Sequence, residues 1–193
     1  MKIKEEFLYK GKIIDLKKVE AKIGKKKIEK EIACLHFPKS VGILPLIGKD
    51  KIVLIKNYRL AARKEMWEIP AGFLKKNEKP EIGAKRELKE ETGFLAKKLK
   101  RICQFYFSPG YLREEMILFK AEKLEKGRQQ LEEDEMIKKV KIFNQKEVLK
   151  MIKQRKIVDA KTILAILFLF ISNRKPIEEG GRGKPRFPRE GKY

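Results

Sequence analysis

Glu87, Glu90 and Glu91 stand three and four positions apart within Arg86-Glu87-Leu88-Lys89-Glu90-Glu91-Thr92-Gly93. On a helix that spacing brings their carboxylates to one side. Like charges crowded together repel and add nothing to packing, whereas a cation among them removes the conflict. An oxygen-only donor set suits a hard ion such as magnesium, with manganese as the usual substitute. The plain alternative is a solvated charged face, in a chain whose residues are 39% charged.

The elements around these residues decide between the two readings. Ala71-Gly72 reads as a glycine turn, followed by a polar loop closed by Pro80. A helix then carries Arg86 and the glutamates, and Gly93 serves as its C-terminal residue. Upstream, Val41 to Ile47 and Ile52 to Ile55 read as a buried hairpin turning at Gly48-Lys49-Asp50, and Trp67 to Pro70 as a short strand entering the glycine turn. Downstream, strands are expected around residues 99–107, 115–122 and 137–143. Helices follow over 145–156 and from an Asp159 N-cap through the apolar run at 163–171. Residues 1–36 alternate apolar and polar residues around a turn at Gly24, a small antiparallel strand set with little core of its own. Residues 173–193 are rich in Gly, Pro and charge and read as a disordered or loosely docked basic tail. Strands and helices are mixed, with a helix inserted between strands, so the class is α+β or α/β with a mixed sheet.

A chain of 193 residues with 42% hydrophobic residues supports one domain with a small appendage. Its net charge of +22 attracts polyanions, yet the lysines are spread along the chain without aromatic interleaving. They read mainly as a solubilising surface, and a nucleic-acid partner is disfavoured without being excluded. The longest apolar run is too short for a bilayer, no secretory leader is visible, and Cys34 and Cys103 read as reduced core residues, so a cytoplasmic protein is expected. His36 is the only histidine, which excludes any mechanism needing a pair.

Gly72, five residues, Glu78, seven residues, then Arg86-Glu87-Leu88-any-Glu90-Glu91-any-Gly93-Phe94 resembles the Nudix box at every defined position. Fixed identities of this number would coincide by chance on the order of once in 10⁸ starting points. The resemblance implies an α+β, α/β/α fold: a mixed β-sheet sandwiched between helices, with a small N-terminal antiparallel β-sheet. It divides the chain into an N-terminal strand region at 1–37, a hydrolase domain at 38–172 and the tail. It also implies metal-dependent hydrolysis of a nucleoside diphosphate linked to another group. Glu87 and Glu91 are the first choice for metal ligands, Glu90 binds directly or through water, and the Ala71 carbonyl joins them by similarity. Arg86 is expected to pair with a box carboxylate, Glu78, and to keep the loop and helix rigid.

Flanking residues narrow the class. Asn57-Tyr58-Arg59 and Glu68-Ile69-Pro70-Ala71-Gly72 resemble segments of ADP-ribose pyrophosphatases, with Asn57 where that group has Gln. Ser108-Pro109-Gly110 places Pro109 at that group's distance of 16 residues from Gly93. Glu133-Asp134-Glu135 lies where the group carries its catalytic base. Glu133 is therefore the expected base, Glu135 an additional metal ligand, and Glu132 stays open because the register of the loop is loose. With Glu90 and Arg86, Glu133 makes up the expected catalytic set. Arg59, at a strand end, is placed to clamp phosphate bidentately, and Glu68, Pro109 and Glu114 join it as substrate-binding candidates. The implied reaction is ADP-ribose plus water giving AMP and ribose 5-phosphate. The alternatives are a sister Nudix activity on nucleotide sugars, NADH or dinucleoside polyphosphates, and more remotely an RNA-associated Nudix protein. The resemblance further implies a homodimer in which the N-terminal strands exchange between subunits.

Overall fold

The computed structural model describes residues 2–131 and 136–172. Glu132, Glu133, Asp134 and Glu135, together with the tail, lie outside the described residues.

Strands β1 (Lys2–Lys10) and β2 (Ile14–Ile23) and the first half of β3 (Lys26–Ile47) form an antiparallel sheet at the N-terminus. Strand β1 is exposed along its whole length, and Phe7, Leu8, Tyr9 and Ile13 are all open to solvent. The alternation in the sequence is thus real strand periodicity, but this sheet has no second layer of its own. Its lone histidine, His36, is tied to Asp15 Oδ1 at 3.1 Å.

Strand β3 then runs on into the body of the protein. There it pairs antiparallel with β6 (Ala71–Phe73) and parallel with β8 (Leu112–Lys126), which in turn pairs antiparallel with β7 (Phe94–Tyr106). Its last residues turn into β4 (Lys51–Arg59), which pairs with β5 (Lys64–Glu68) and β9 (Ile137–Asn144). The sheet is mixed because β3 and β8 are joined through the long excursion that contains the glutamate helix.

Period-2 alternation on β3 and β8 feeds a core on each face. Val41, Ile43, Ile117, Phe119 and Ala121 pack with Leu74, Ala84 and Leu88 of the loop and helix α1 (Pro80–Thr92). Leu44, Leu46, Met116 and Leu118 pack against α2 (Gln145–Lys153) and α3 (Ala160–Ser172), through Val148, Met151, Ala165, Ile166 and Leu169. A fully buried Leu, Ile or Phe side chain stabilises by roughly 1.5–3 kcal/mol, so both helical layers are held by the same strands. The fold is α+β, a mixed sheet between helices.

Local signals set the ends of α1. Pro80 occupies its first turn, where the missing N–H is not needed. Gly93 ends it at φ 74°, with its N–H donating to the Lys89 carbonyl at 2.8 Å. An added Cβ there would also lie 3.0 Å from the Gln129 backbone nitrogen. Gly93→Ala is therefore expected to lower stability by about 1–2 kcal/mol, read as a fall in the urea midpoint without a change in slope. At the other end of the chain, Asp159 caps α3 as expected, its Oδ2 accepting from the Thr162 N–H at 3.0 Å.

Two expectations need correction. Strand β7 begins at Phe94, directly after the helix, and not near residue 99, because the left-handed Gly93 reverses the chain straight into pairing with β8. Gly72 is not a turn residue: it lies in β6, opposite Val41, with no positive φ.

Candidate active site

Gly72 is glycine for a different reason. A Cβ at this position would lie 2.3 Å from the Glu87 carboxyl carbon, so the bare backbone of β6 is what lets the Glu87 carboxylate lie against it. Next to it, the Ala71 N–H donates to Glu91 Oε2 at 2.8 Å. Helix α1 is thereby docked on β6 through its carboxylates, while Leu88 joins the core with Val41, Leu74 and Ile117. Glu87 and Glu91 are 6% and 3% exposed, unusually low for glutamates.

Arg86 is the counter-charge. Its Nε and Nη2 donate to Glu78 Oε1 and Oε2, each at 2.9 Å, and Nη2 also reaches the Phe73 carbonyl at 3.0 Å. Nη1 donates to Glu87 Oε1 at 2.6 Å and to Glu90 Oε2 at 2.9 Å. The pairing with Glu78 is the one the resemblance implies, and Glu78 in turn accepts from the Lys75 N–H at 2.9 Å. The Glu78 bond is also the largest influence raising the Arg86 pKa above its ordinary value, and it holds the Glu78 carboxyl below the usual range. Loop and helix are thus locked by one guanidinium.

Among the described residues, no three His, Cys, Asp or Glu side chains converge as a ready ion cage. Arg86 draws Glu87 and Glu90 to itself instead. The donor set nevertheless fits a divalent ion. Glu87, Glu91 and the Ala71 backbone are oxygen donors lining an open cavity, and buried carboxylates call for a cation or strong hydrogen bonds.

That cavity, of about 610 Å³, is within the range of small-molecule sites. Its wall joins Arg59, Ala71, Gly72, Arg86, Glu87 and Glu91 to the apolar side chains of Ile13, Phe37, Tyr58 and Leu60. A smaller cavity of about 200 Å³ shares Arg59, Ala71, Gly72 and Phe73 and adds Ser40, Glu114 and Lys161. Charged and apolar walls meeting in one cleft suit a ligand that has a phosphate part and a flat apolar part.

The residues singled out in the sequence fall into distinct places. Arg59 lines both cavities. Glu114 lines the smaller one, where Ser40 Oγ donates to its Oε1 at 3.0 Å and burial pushes its carboxyl up. Glu90 lies beside Arg86 and is not part of either cavity wall. Glu68 is 1% exposed and lies behind Arg59, its carboxylate bound to that guanidinium. Burial alone would raise the Glu68 pKa, but Arg59 and Lys161 outweigh it and hold the carboxyl below its usual range. Pro109 is on an exposed turn in which the Ser108 carbonyl accepts from the Tyr111 N–H at 3.1 Å, and it lines neither cavity. Glu133 and Glu135, with the alternative Glu132, lie outside the described residues.

Sequence reasoning passed over Asn57, Ile13, Phe37 and Lys161 as site residues. Asn57 is 5% exposed on the wall of the larger cavity, and its amide oxygen has no hydrogen-bond partner among the described residues. Lys161 carried one usable signal, a single charge near the start of an otherwise apolar helix.

The NUDIX domain family matches residues 36–165. The chain is 38% identical over 169 residues to an ADP-ribose pyrophosphatase of Bacillus subtilis (strain 168), covering 86% of this chain and 90% of that protein. It is 32% identical over 169 residues to a methanol dehydrogenase activator of Bacillus methanolicus, with the same coverage of 86% and 90%. Among solved structures, an ADP compounds hydrolase superposes with a TM-score of 0.76 at 18% identity, covering 89% of this chain and 94% of that one.

Proposed function

The chain belongs to the NUDIX family, and we propose that it hydrolyses the diphosphate of ADP-ribose to AMP and ribose 5-phosphate. The observation that carries this reading is the larger cavity, where Arg59 and the buried pair Glu87 and Glu91 share one wall with an aromatic and aliphatic surface. The relative named for ADP-ribose hydrolysis, similar over most of its length, supports the choice of substrate.

In the reaction, water adds to one phosphorus and the bridging P–O bond breaks, leaving one phosphate on each product. A divalent ion, magnesium first, would be held by Glu87, Glu91, Glu90 and the Ala71 carbonyl, and when bound it supplies charge neutralisation and a more acidic water. Arg59 binds the phosphate oxygens through donors not used on Glu68. Arg86 keeps Glu87 and Glu90 in place through its bond to Glu78. The apolar wall excludes water around the base. Glu133 remains the proposed base and Glu135 the proposed extra ligand, with Glu114, on the wall of the smaller cavity, near the sugar beyond the diphosphate.

The test is a magnesium-dependent substrate panel with the products identified. ADP-ribose is expected to be turned over with AMP and ribose 5-phosphate as products, faster than ADP-glucose or NADH. Equal or faster turnover of ADP-glucose would shift the reading to a nucleotide-sugar hydrolase.

The domain limits 1–37, 38–172 and 173–193 belong to this proposal, as does a homodimer built by exchange of the N-terminal strands. The exposed apolar residues of β1 support it. Light scattering at micromolar concentration is expected to give twice the chain mass, and an active monomer would contradict it. No helix among the described residues is long and apolar enough to cross a membrane. A cytoplasmic location is part of the same proposal.

A further inference from the structure

Behind Arg59 runs a buried ionic chain whose other members take no part in the reaction as set out above. At the end of β5, Glu68 Oε1 accepts from Arg59 Nε at 3.0 Å, and Oε2 accepts from Arg59 Nη2 and from Lys161 Nζ, both at 2.7 Å. Lys161 is 6% exposed, and its ammonium also donates to Asp159 Oδ1 at 2.9 Å. Asp159 caps α3 through Thr162, and the Thr162 hydroxyl oxygen accepts from the Ile69 N–H at 2.8 Å. Hydrogen bonds thus lead without a gap from the start of α3 to the guanidinium on the cavity wall.

Burying a carboxylate and an ammonium is unfavourable, and apolar side chains of similar size often fill such a space with less loss. What an ionic chain adds is fixed geometry. A guanidinium held through Nε and Nη2 has its plane set and its Nη1 turned away from the carboxylate. Among the described residues no hydrogen bond engages Nη1, and the Arg59 side chain is 42% exposed where it lines both cavities. Glu68 alone would leave this arrangement loose, since its carboxylate could rotate. Lys161, approaching from α3, fixes it.

We propose that Lys161, acting through Glu68, is a positioning residue for Arg59 and thereby sets the affinity of the site for the diphosphate. The proposal rests on the reading of Arg59 as the phosphate-binding cation. It makes a helix late in the chain part of the substrate site without requiring contact between Lys161 and the substrate.

A double-mutant cycle tests it. Lys161→Met removes the ammonium and keeps the length of the side chain. It is expected to raise KM for ADP-ribose about tenfold with kcat changed less than about threefold, because ground-state and transition-state binding are lost together. Calorimetry with ADP in the absence of divalent metal is expected to show a similar weakening, roughly tenfold. In an Arg59→Ala background the same substitution is expected to change either quantity by less than about twofold. With Arg59 present, Lys161→Arg is expected to retain most of the affinity that Lys161→Met loses. The Arg59 Nε–H resonance, expected to be protected by its bond to Glu68, should broaden or vanish in Lys161→Met. If Lys161→Met does not fold, Glu68→Gln carries the same cycle. A loss of equal size in both backgrounds overturns the proposal, because Lys161 then acts independently of Arg59, by touching substrate or by structure alone. An Arg59→Ala enzyme with unchanged KM removes the premise, and that outcome is distinguishable because the reference variant itself shows it.

Discussion

Glutamine at position 91 is expected to lower turnover by about 10³-fold while the protein stays folded. Glu91 is 3% exposed and accepts a hydrogen bond from the Ala71 N–H at 2.8 Å. A glutamine keeps the volume and can keep that bond through its carbonyl oxygen, so the tie between α1 and β6 survives. What disappears is a negative charge at the cavity wall, where a divalent ion must be held. Stability and activity should therefore separate. Steady-state turnover with magnesium and ADP-ribose, read beside a thermal melt, makes the comparison. Glu90→Gln is expected to act in the same direction. Normal turnover in both variants would remove the metal-binding reading of this helix.

Gly72→Ala provides the second large effect and reaches the same centre from the other side. Its Cβ would meet the Glu87 carboxyl group at 2.3 Å. The obstacle is the end of a flexible side chain, not backbone, so Glu87 yields and the fold persists, with a stability change expected below about 1 kcal/mol. The displaced carboxylate is then at least an ångström from its place, and misplacement on that scale lowers turnover by roughly 10²-fold. Near-native melting with turnover reduced to that extent is the expected result. A Gly72→Ala enzyme with both properties unchanged would show that Glu87 does not need its contact with β6.

These two residues also show where the sequence is informative. The limits of α1 were legible because proline and glycine act locally: Pro80 can start a helix and Gly93 can leave it in the left-handed region. The strands of the central sheet were legible because β3 and β8 alternate between two cores, leaving nearly continuous apolar runs. The grouping of Arg86 with Glu78 followed from the spacing of a known box. Gly72 was misplaced in a turn because the same letter serves a turn and a close approach, and only the position of Glu87 separates them. Glu68 stood out in the sequence as a substrate-binding candidate, but its pairing with Lys161, 93 positions away along the chain, was not legible there. Pro109 marks a spacing, and spacing alone does not say whether a side chain faces a cavity.

Strand β3 has a consequence for the length of what the cleft accepts. Phe37, on the apolar wall, and Val41, paired with Gly72, belong to one uninterrupted strand. At about 3.3 Å per residue they are roughly 13 Å apart along the backbone. The register against β8 shifts between Cys34 and Lys39, so β3 bends within this interval and that length is the most by which the flat apolar contact and the carboxylates can be separated along it. A ligand much longer than that interval can satisfy one end of the cleft or the other, but not both at once.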